Sequence, residues 1–347
     1  MEFKNRKVAE ENNKQIKESK TCLLALIKIF LIYFSYILIK SFANISKKNY
    51  KHIFMGKREK IYNLKRKFFV LGRRLECPQC GFFSFYIVNL GCIYKYLNIG
   101  YIPIIDLKSF PNVYNGNDTT KNNPWELFFY QPYNFTLEEV TNYAKNSSYV
   151  ECTANDFRPD EINMYYNNFS INFWHDLAAK YMPIKKDLMN EVNIIMKNLF
   201  GNSENILGVK LRGTDYLAAK PPGHSIPPSV NQVILDVKEM DEKYNYDFIF
   251  FSTEDELIRK KFIPNFRSKL KLLIPKTNIN YNYEEKDFIN LNKNINGNIE
   301  YTKNYVLNII ILSKCLDIVA ARCSGTAGIF IITNGFRHAK IYNLGQY

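Results

Sequence analysis

Apolar residues fall into distinct rhythms along this chain, and the changes between them mark its organisation. From residue 206 onward, short uninterrupted apolar runs alternate with longer amphipathic stretches. Runs such as "DFIFF" and "LDIVAA" lack polar alternation, which suits strands buried on both faces of a parallel sheet. The pattern predicts strands at 206–211, 247–252, 270–274, 316–321 and 338–343, with helices at 227–243, 254–262, 302–314 and 325–334 between them. Upstream, Phe85, Val88, Cys92 and Tyr96 recur at helical spacing, Gly100 closes that helix, and "YIPIIDL" follows as a short buried strand. Residues 108–135, which include "NNPWELFFYQP", read as a packed loop or short helices, and 136–200 read as mostly helical. Strand–helix alternation of this kind defines an α/β protein. "GNSEN" at 201–205, rich in turn formers, is the predicted joint between two domains.

A third rhythm lies near the N-terminus. "CLLALIKIFLIYFSYILIKSFA", residues 22–43, is about long enough to cross a hydrocarbon core of ~30 Å, with Lys28 interrupting it. The expectation is a membrane helix at 21–43, spanning the bilayer or lying in its plane, after a polar tail at 1–20. The alternative is a buried amphipathic helix. Charge supports the first reading. Of a net +14, residues 1–76 carry 19 Lys/Arg against 6 Asp/Glu, whereas the rest carries 28 against 27. The basic character therefore belongs to the appendage and a basic linker at 44–76, not to a nucleic-acid-binding body. Residues 47–74 hold eleven Lys/Arg and one Glu, against six and four in residues 1–20, which places the following domains on the cytoplasmic side. Those domains are predicted at 77–200 and 201–347.

Seven cysteines, an odd number without regular spacing, do not describe a disulfide scaffold. "CPQC" at 77–80 is a lone CxxC with no second pair to complete a zinc site, and its thiols are expected to be reduced.

Candidate chemistry gathers at three predicted strand ends: "RGTD" (212–215), "STED" (252–255) and "RCSGT" (322–326). Parallel sheets bind ligands beyond the carboxyl ends of their strands. Arg212 brings a permanently charged fork suited to phosphate oxygens. Ser324, Gly325 and Thr326 bring hydroxyls and N–H groups at the start of a helix, a ready anion site. Each motif could instead be a plain helix cap.

The ordered set resembles a known family. "GVKLRGTDY", "HSIPPS" twelve residues beyond Arg212, "FFSTEDE" and "LNIIILSKCLDIVAARCSGT" are similar to the motifs of GDP-fucose fucosyltransferases, above all the α-1,6-fucosyltransferases and nodulation fucosyltransferases of family 23. "CGFFSFYIVNLGCIYKYLNIGYIPIIDL" followed by "PWELFFYQP" is similar to that family's N-terminal segment. The resemblance spans about 80–347. It implies a GT-B architecture, two Rossmann-like domains facing a cleft, and an inverting, metal-independent transfer from GDP-fucose to a glycan or lipid-linked acceptor. No cofactor or metal ligand is implied.

By position, Arg212 matches the arginine that clamps the donor β-phosphate, Ser324, Gly325 and Thr326 match a second phosphate-contacting turn, and Gly81 to Ser84 match a loop from the other domain. Thr214, Thr253 and Asp255 fall in the same donor-side motifs. His224 matches a family histidine suited to general-base work, and Asp215 either orients Arg212 or touches sugar. The guanine-reading positions hold Lys210 and Asn308 where the family has His and Asp, and Lys220 stands where a glutamate base is expected. These departures leave open another nucleotide sugar, or a catalytically silent scaffold of a polysaccharide assembly complex.

Overall fold

The computed structural model describes residues 68–143, 147–151, 165, 167–273 and 296–347. The apolar segment 22–43 and most of the basic linker lie outside the described residues. No described helix is long and apolar enough to cross a membrane.

Two parallel sheets organise the chain. The first has the order β2-β1-β3, with β1 at Phe68–Arg73, β2 at Ile102–Ile105 and β3 at Ser147–Glu151. Helix α1, Phe82–Asn98, connects β1 to β2, and α2, Leu137–Tyr143, leads towards β3. Phe68, Val70, Ile102, Ile104, Leu137 and Val140 form one buried cluster between these strands and α2. Two boundaries differ from the sequence reading. β1 lies inside the stretch assigned to the basic linker, because the Lys/Arg run ends against "FFVLGR" and those apolar residues pair with β2. β3 was not foreseen within 136–200, where the polar "SSYVE" carries no buried-strand pattern of its own.

Helices α3, Asn168–Tyr181, and α4, Lys186–Phe200, then lead to the second sheet. Its strands are β4 (Ile206–Lys210), β5 (Phe248–Ser252), β6 (Leu270–Lys271), β7 (Asp317–Ala321) and β8 (Ala339–Tyr342), all parallel. The intervening helices are α5 (Asp215–Ala218), α6 (Val230–Tyr244), α7 (Glu256–Phe262), α8 (Ile299–Leu312) and α9 (Ser324–Thr333). Helix α6 begins three residues later than its apolar pattern suggests, after Pro227 and Pro228, where Ser229 accepts a hydrogen bond from the Gln232 amide and caps it.

The strand order β6-β5-β4-β7-β8 positions everything that follows. The chain winds outward from β4 through β5 to β6, crosses back along α8, and winds the other way from β7 to β8. The doubly wound order therefore reverses between β4 and β7, leaving a crevice at their carboxyl ends. Lys210 lies level with Ser252 on one side and Ala320 on the other, so three strand exits open side by side. Leu207, Val209, Val233, Val237, Ile249, Phe251, Phe262 and Val319 fill one face of the sheet.

Helix α9 joins the halves. It packs against both α1 and α3, and Gly328 lies so close to α1 that a Cβ there would meet the Phe83 ring at 2.2 Å. The carboxyl ends of β4 and β7 thus face the start of α1.

Candidate active site

Arg212 leaves β4 at the crevice, and its guanidinium is held on three sides. Nη2 donates to both Asp215 oxygens at 2.9 and 3.0 Å, the Tyr216 ring lies 4.6 Å beneath the guanidinium carbon, and Glu254 Oε1 lies 3.7 Å from Nε. Burial works against its charge, but Asp215 and Glu254 keep it firmly protonated. Nε is buried without a hydrogen-bond partner among the described residues. A buried donor on a fixed cation is a group awaiting an acceptor.

The backbone beneath it is bent to fit. The Gly213 amide donates to Glu254 Oε1 and the Thr214 amide to Asp255 Oδ2, both at 2.8 Å. Thr214 adopts φ 45°, ψ −115°, a region L residues rarely visit, and its Oγ1 donates to Asp215. Such strain persists only where surrounding contacts over-determine it. Asp255, fully buried, also accepts from the Leu257 and Ile258 amides and so caps α7. It ties the β5 exit to the β4 exit.

The third exit faces the same space. Cys323 is the N-cap of α9 with no side-chain capping bond, so the first-turn amides of Ser324 and Gly325 keep their donors for a ligand. A Cβ at Gly325 would lie 2.6 Å from Tyr305 Oη and 3.1 Å from Lys210 Cε. Arg212 interacts electrostatically with Tyr114, Tyr301, Tyr305 and Cys323, which sets each of them within reach of its charge. Burial pushes the three phenols upward; they are neutral O–H donors. Tyr114 belongs to the first half of the molecule, and Phe83 at the start of α1 lies 5.8 Å from the Tyr305 ring. The centre is therefore shared by both halves.

Beside it opens a cleft lined among others by Lys210, Thr253, Glu254, Tyr301, Asn304, Tyr305 and Asn308. Lys210 is buried with Nζ 5.5 Å over the Tyr305 ring. Asn308 Nδ2 donates to the Asn304 carbonyl and to Asn304 Oδ1, leaving Asn308 Oδ1 as an acceptor and Asn304 Nδ2 as a donor for a planar ligand edge.

The residues singled out in the sequence divide accordingly. Arg212 leaves β4 and Ser324 and Gly325 follow β7 at the same crevice, and Lys210, Asn308 and Thr253 line the cleft. Asp215 is bonded to Arg212, which fits the orienting role of the two expected for it. Three hold structural positions. Asp255 is a cap and tie, Thr214 is buried with its amide and hydroxyl engaged, and Thr326 donates its hydroxyl to the Ala321 carbonyl at 2.6 Å. Gly81 is the N-cap of α1, and Ser84 Oγ accepts from Arg74 at 2.8 Å; both belong to the α1 start that bears Phe83. His224 stands edge-on to Tyr216 at 5.1 Å, with Nδ1 3.3 Å from the Pro222 carbonyl. Nδ1 donates in that bond, which leaves Nε2 to take up a proton. Its segment is fastened by Gly345–Tyr347, through the Ser225–Gln346 bridge and the Tyr347 amide on the His224 carbonyl. Lys220 is exposed. Sequence reasoning missed Glu254, Tyr216, Tyr114, Tyr301 and Tyr305. Glu254 sat one residue from a chosen position, whereas the tyrosines carried no signal among 25.

Among the described residues no group of three His, Cys, Asp or Glu is placed to hold a metal ion. One expectation is corrected: Cys77 and Cys80 form a disulfide. The turn "CPQC" brings two cysteines three residues apart within bonding range, so the absence of other pairs did not bear on this one.

No protein-family model matches the chain, and no curated protein matches it. Among solved structures it is similar to the NodZ alpha-1,6-fucosyltransferase soaked with GDP-fucose, at 14% identity over 77% of this chain and 93% of that one, with a TM-score of 0.47. A structure of fucosyltransferase NodZ from Bradyrhizobium gives 13% identity over 76% and 92%, with a TM-score of 0.46. POFUT1 in complex with GDP gives 8% over 80% and 98%, with a TM-score of 0.45.

Proposed function

We propose that this chain is a fucosyltransferase-like glycosyltransferase that binds a nucleotide-sugar diphosphate at the β4/β7 crevice and transfers the sugar to a glycan or lipid-linked acceptor. The observation that carries the reading is the arrangement at the strand-order reversal. A braced guanidinium with a vacant buried donor and the open start of α9 flank one centre, beside a cleft with a planar-recognition amide pair.

The chemistry follows from placement. Bond cleavage at the sugar builds negative charge on the departing diphosphate. A fixed cation and first-turn amides stabilise that charge without reorganising. Asp215, Glu254 and Tyr216 hold Arg212 still, so its orientation is set before the donor arrives. His224 Nε2 would accept the acceptor hydroxyl's proton.

GDP-fucose, soaked into the NodZ structure, and GDP, in complex with POFUT1, are the first ligands to test. Arg212→Ala should weaken GDP binding about ten- to hundredfold, the value of a charge-assisted contact, by calorimetry. Unchanged affinity would remove the phosphate-clamp assignment. Lys210 and Asn308 favour a second reading, the same transfer from a different nucleotide sugar. Lys210 can only donate, and Asn308 presents a neutral acceptor. A hydrolysis screen across GDP- and UDP-sugars separates the two.

Attachment to a membrane through 21–43 and a role in surface polysaccharide or glycoconjugate synthesis extend the proposal. Confinement would raise the local concentration of a lipid-linked acceptor. For the compartment, basic flanks favour the cytoplasm, whereas a disulfide favours an oxidising space.

A further inference from the structure

The Cys77–Cys80 bridge plays no part in donor binding as described, yet it lies where the first half of the molecule reaches the anion centre. It closes the turn between β1 and α1, immediately before Gly81. Both cysteines are partly exposed, unlike the buried Cys92 and Cys315. The bridge spans three positions only, so it removes little chain entropy. The surrounding fold is held independently by the β1–β2 ladder and the buried face of α1.

Three features suit this bridge to exchange. Cys80 stands immediately before Gly81, the N-cap, without a capping side chain, of the seventeen-residue helix α1, so a thiolate there lies near the positive end of α1. Arg74, buried and donating to Ser84 Oγ in the first turn of that helix, brings a fixed positive charge that Glu76, 3.4 Å from its Nε, offsets only in part. A stabilised thiolate is a good leaving group. The third feature is connection. The Tyr114 hydroxyl donates to the Cys80 carbonyl at 2.6 Å, and the Val113 amide donates to the Pro78 carbonyl at 3.4 Å. Val113 in turn accepts from the Gly297 amide at 2.6 Å, just before α8, which carries Tyr301, Tyr305 and Asn308. The disulfide turn thus buttresses Tyr114 and, through Val113, the start of the cleft-lining helix.

We propose that Cys77–Cys80 is a thiol–disulfide exchange site for a dithiol reductant, and that its reduction loosens the Tyr114 side of the cleft. A thiolate of the dithiol attacks Cys77 Sγ. The Cys77–Cys80 bond breaks, and its electron pair leaves on Cys80 Sγ. The second thiolate of the reductant then attacks the mixed disulfide, forming the reductant's own disulfide and releasing Cys77. The reductant loses two electrons and two protons; the protein gains both as two thiols.

The test uses the full chain without ligand, so its outcome is independent of the donor reading. Protein is treated with millimolar dithiothreitol under native conditions, alkylated, and mapped by mass spectrometry, with amide exchange followed in parallel. Native labelling at Cys77 and Cys80 but not at Cys92 or Cys315 is expected, with exchange at Val113, Tyr114 and Gly297 accelerated about fivefold or more. A Cys77→Ser/Cys80→Ser variant should show the accelerated exchange without reductant and no further response to it. Labelling that appears only on denaturation overturns the exchange site. Labelling without faster exchange at Val113 and Tyr114 overturns the coupling, as does a response to reductant that persists in the double variant. If that variant does not fold, labelling and exchange in the unsubstituted protein decide the matter.

Discussion

An alanine at position 213 would place its Cβ 2.1 Å from Asp255 Oδ2, so the residue after Arg212 has to be glycine for the β4 and β5 exits to touch. The consequence goes beyond packing. The Gly213 amide reaches Glu254 and the Thr214 amide reaches Asp255 only because the backbone comes this close. Gly213→Ala should therefore destabilise the fold by about 1–3 kcal/mol, the usual cost of overpacking, seen as a lower Tm. It should also weaken nucleotide binding at temperatures where the variant is fully folded, because Glu254 and Asp215 no longer fix Arg212. Normal affinity in folded variant would mean that the brace does not matter for binding. Tyr216→Leu offers a milder probe at the same scale. Loss of the cation–π contact, about 0.5–2 kcal/mol, should appear in affinity with little change in Tm.

Among the elements, β7 depends on a single carboxylate. Asp317, fully buried at its start, accepts from Tyr246, from both Arg337 Nε and Nη2, and from the His338 amide. These contacts pin the β7 start to the residues preceding β5 and β8. Burial alone would raise the Asp317 pKa, but the bonds to Arg337, Tyr246 and His338 outweigh it and hold the carboxyl below its ordinary value. A depressed pKa stabilises the folded state at and above neutral pH, and that stability is lost as pH falls through the folded value, on the acid side of about pH 4. Asp317→Asn should lower Tm at pH 7 and flatten the decline in Tm below about pH 4; an unflattened acid limb would assign that decline to other carboxylates.

The same scale shows what could be read from the residues alone. Strands β4, β5 and β7 were legible because they are apolar on both faces, and the helices between them because of their spacing. β3 was not, since "SSYVE" resembles a loop, and β1 was hidden by the basic run preceding it. In the site, Arg212, Ser324 and Gly325 were legible because their types carry anion chemistry at strand ends. Asp255 and Thr326 looked the same in sequence but point inward, since capping and binding draw on the same side chains. Tyr114 was out of reach. Its place depends on how two halves pack, which no local pattern encodes.

Across the whole molecule, the halves meet through α9. Gly328 admits the Phe83 ring against the helix backbone, and the same helix begins four residues earlier at the crevice. Gly328→Ala should force Phe83 to shift and displace Tyr305, which packs edge-on to it at 5.8 Å. The expected outcome is a stability loss of about 1–3 kcal/mol and a fall in donor affinity, although residue 328 lies outside the cleft lining. Limited proteolysis and calorimetry on the variant would check both, and an unchanged affinity would show that the α1 contact is not needed to build the site.

The strand-order reversal has a further consequence in time. β4 is complete at Lys210, but its neighbour β7 begins only at Asp317, so the crevice requires two stretches that leave the ribosome far apart. Closing so long a separation is slow, because the intervening chain must lose its freedom before the pairing gives any return. A nascent chain halted before residue 317 would carry Arg212 on a sheet edge that β7 has yet to cover, prone to aggregation and without its facing turn. Ligand capture should therefore emerge abruptly once β7 and the start of α9 have been synthesised and can fold, rather than growing with length.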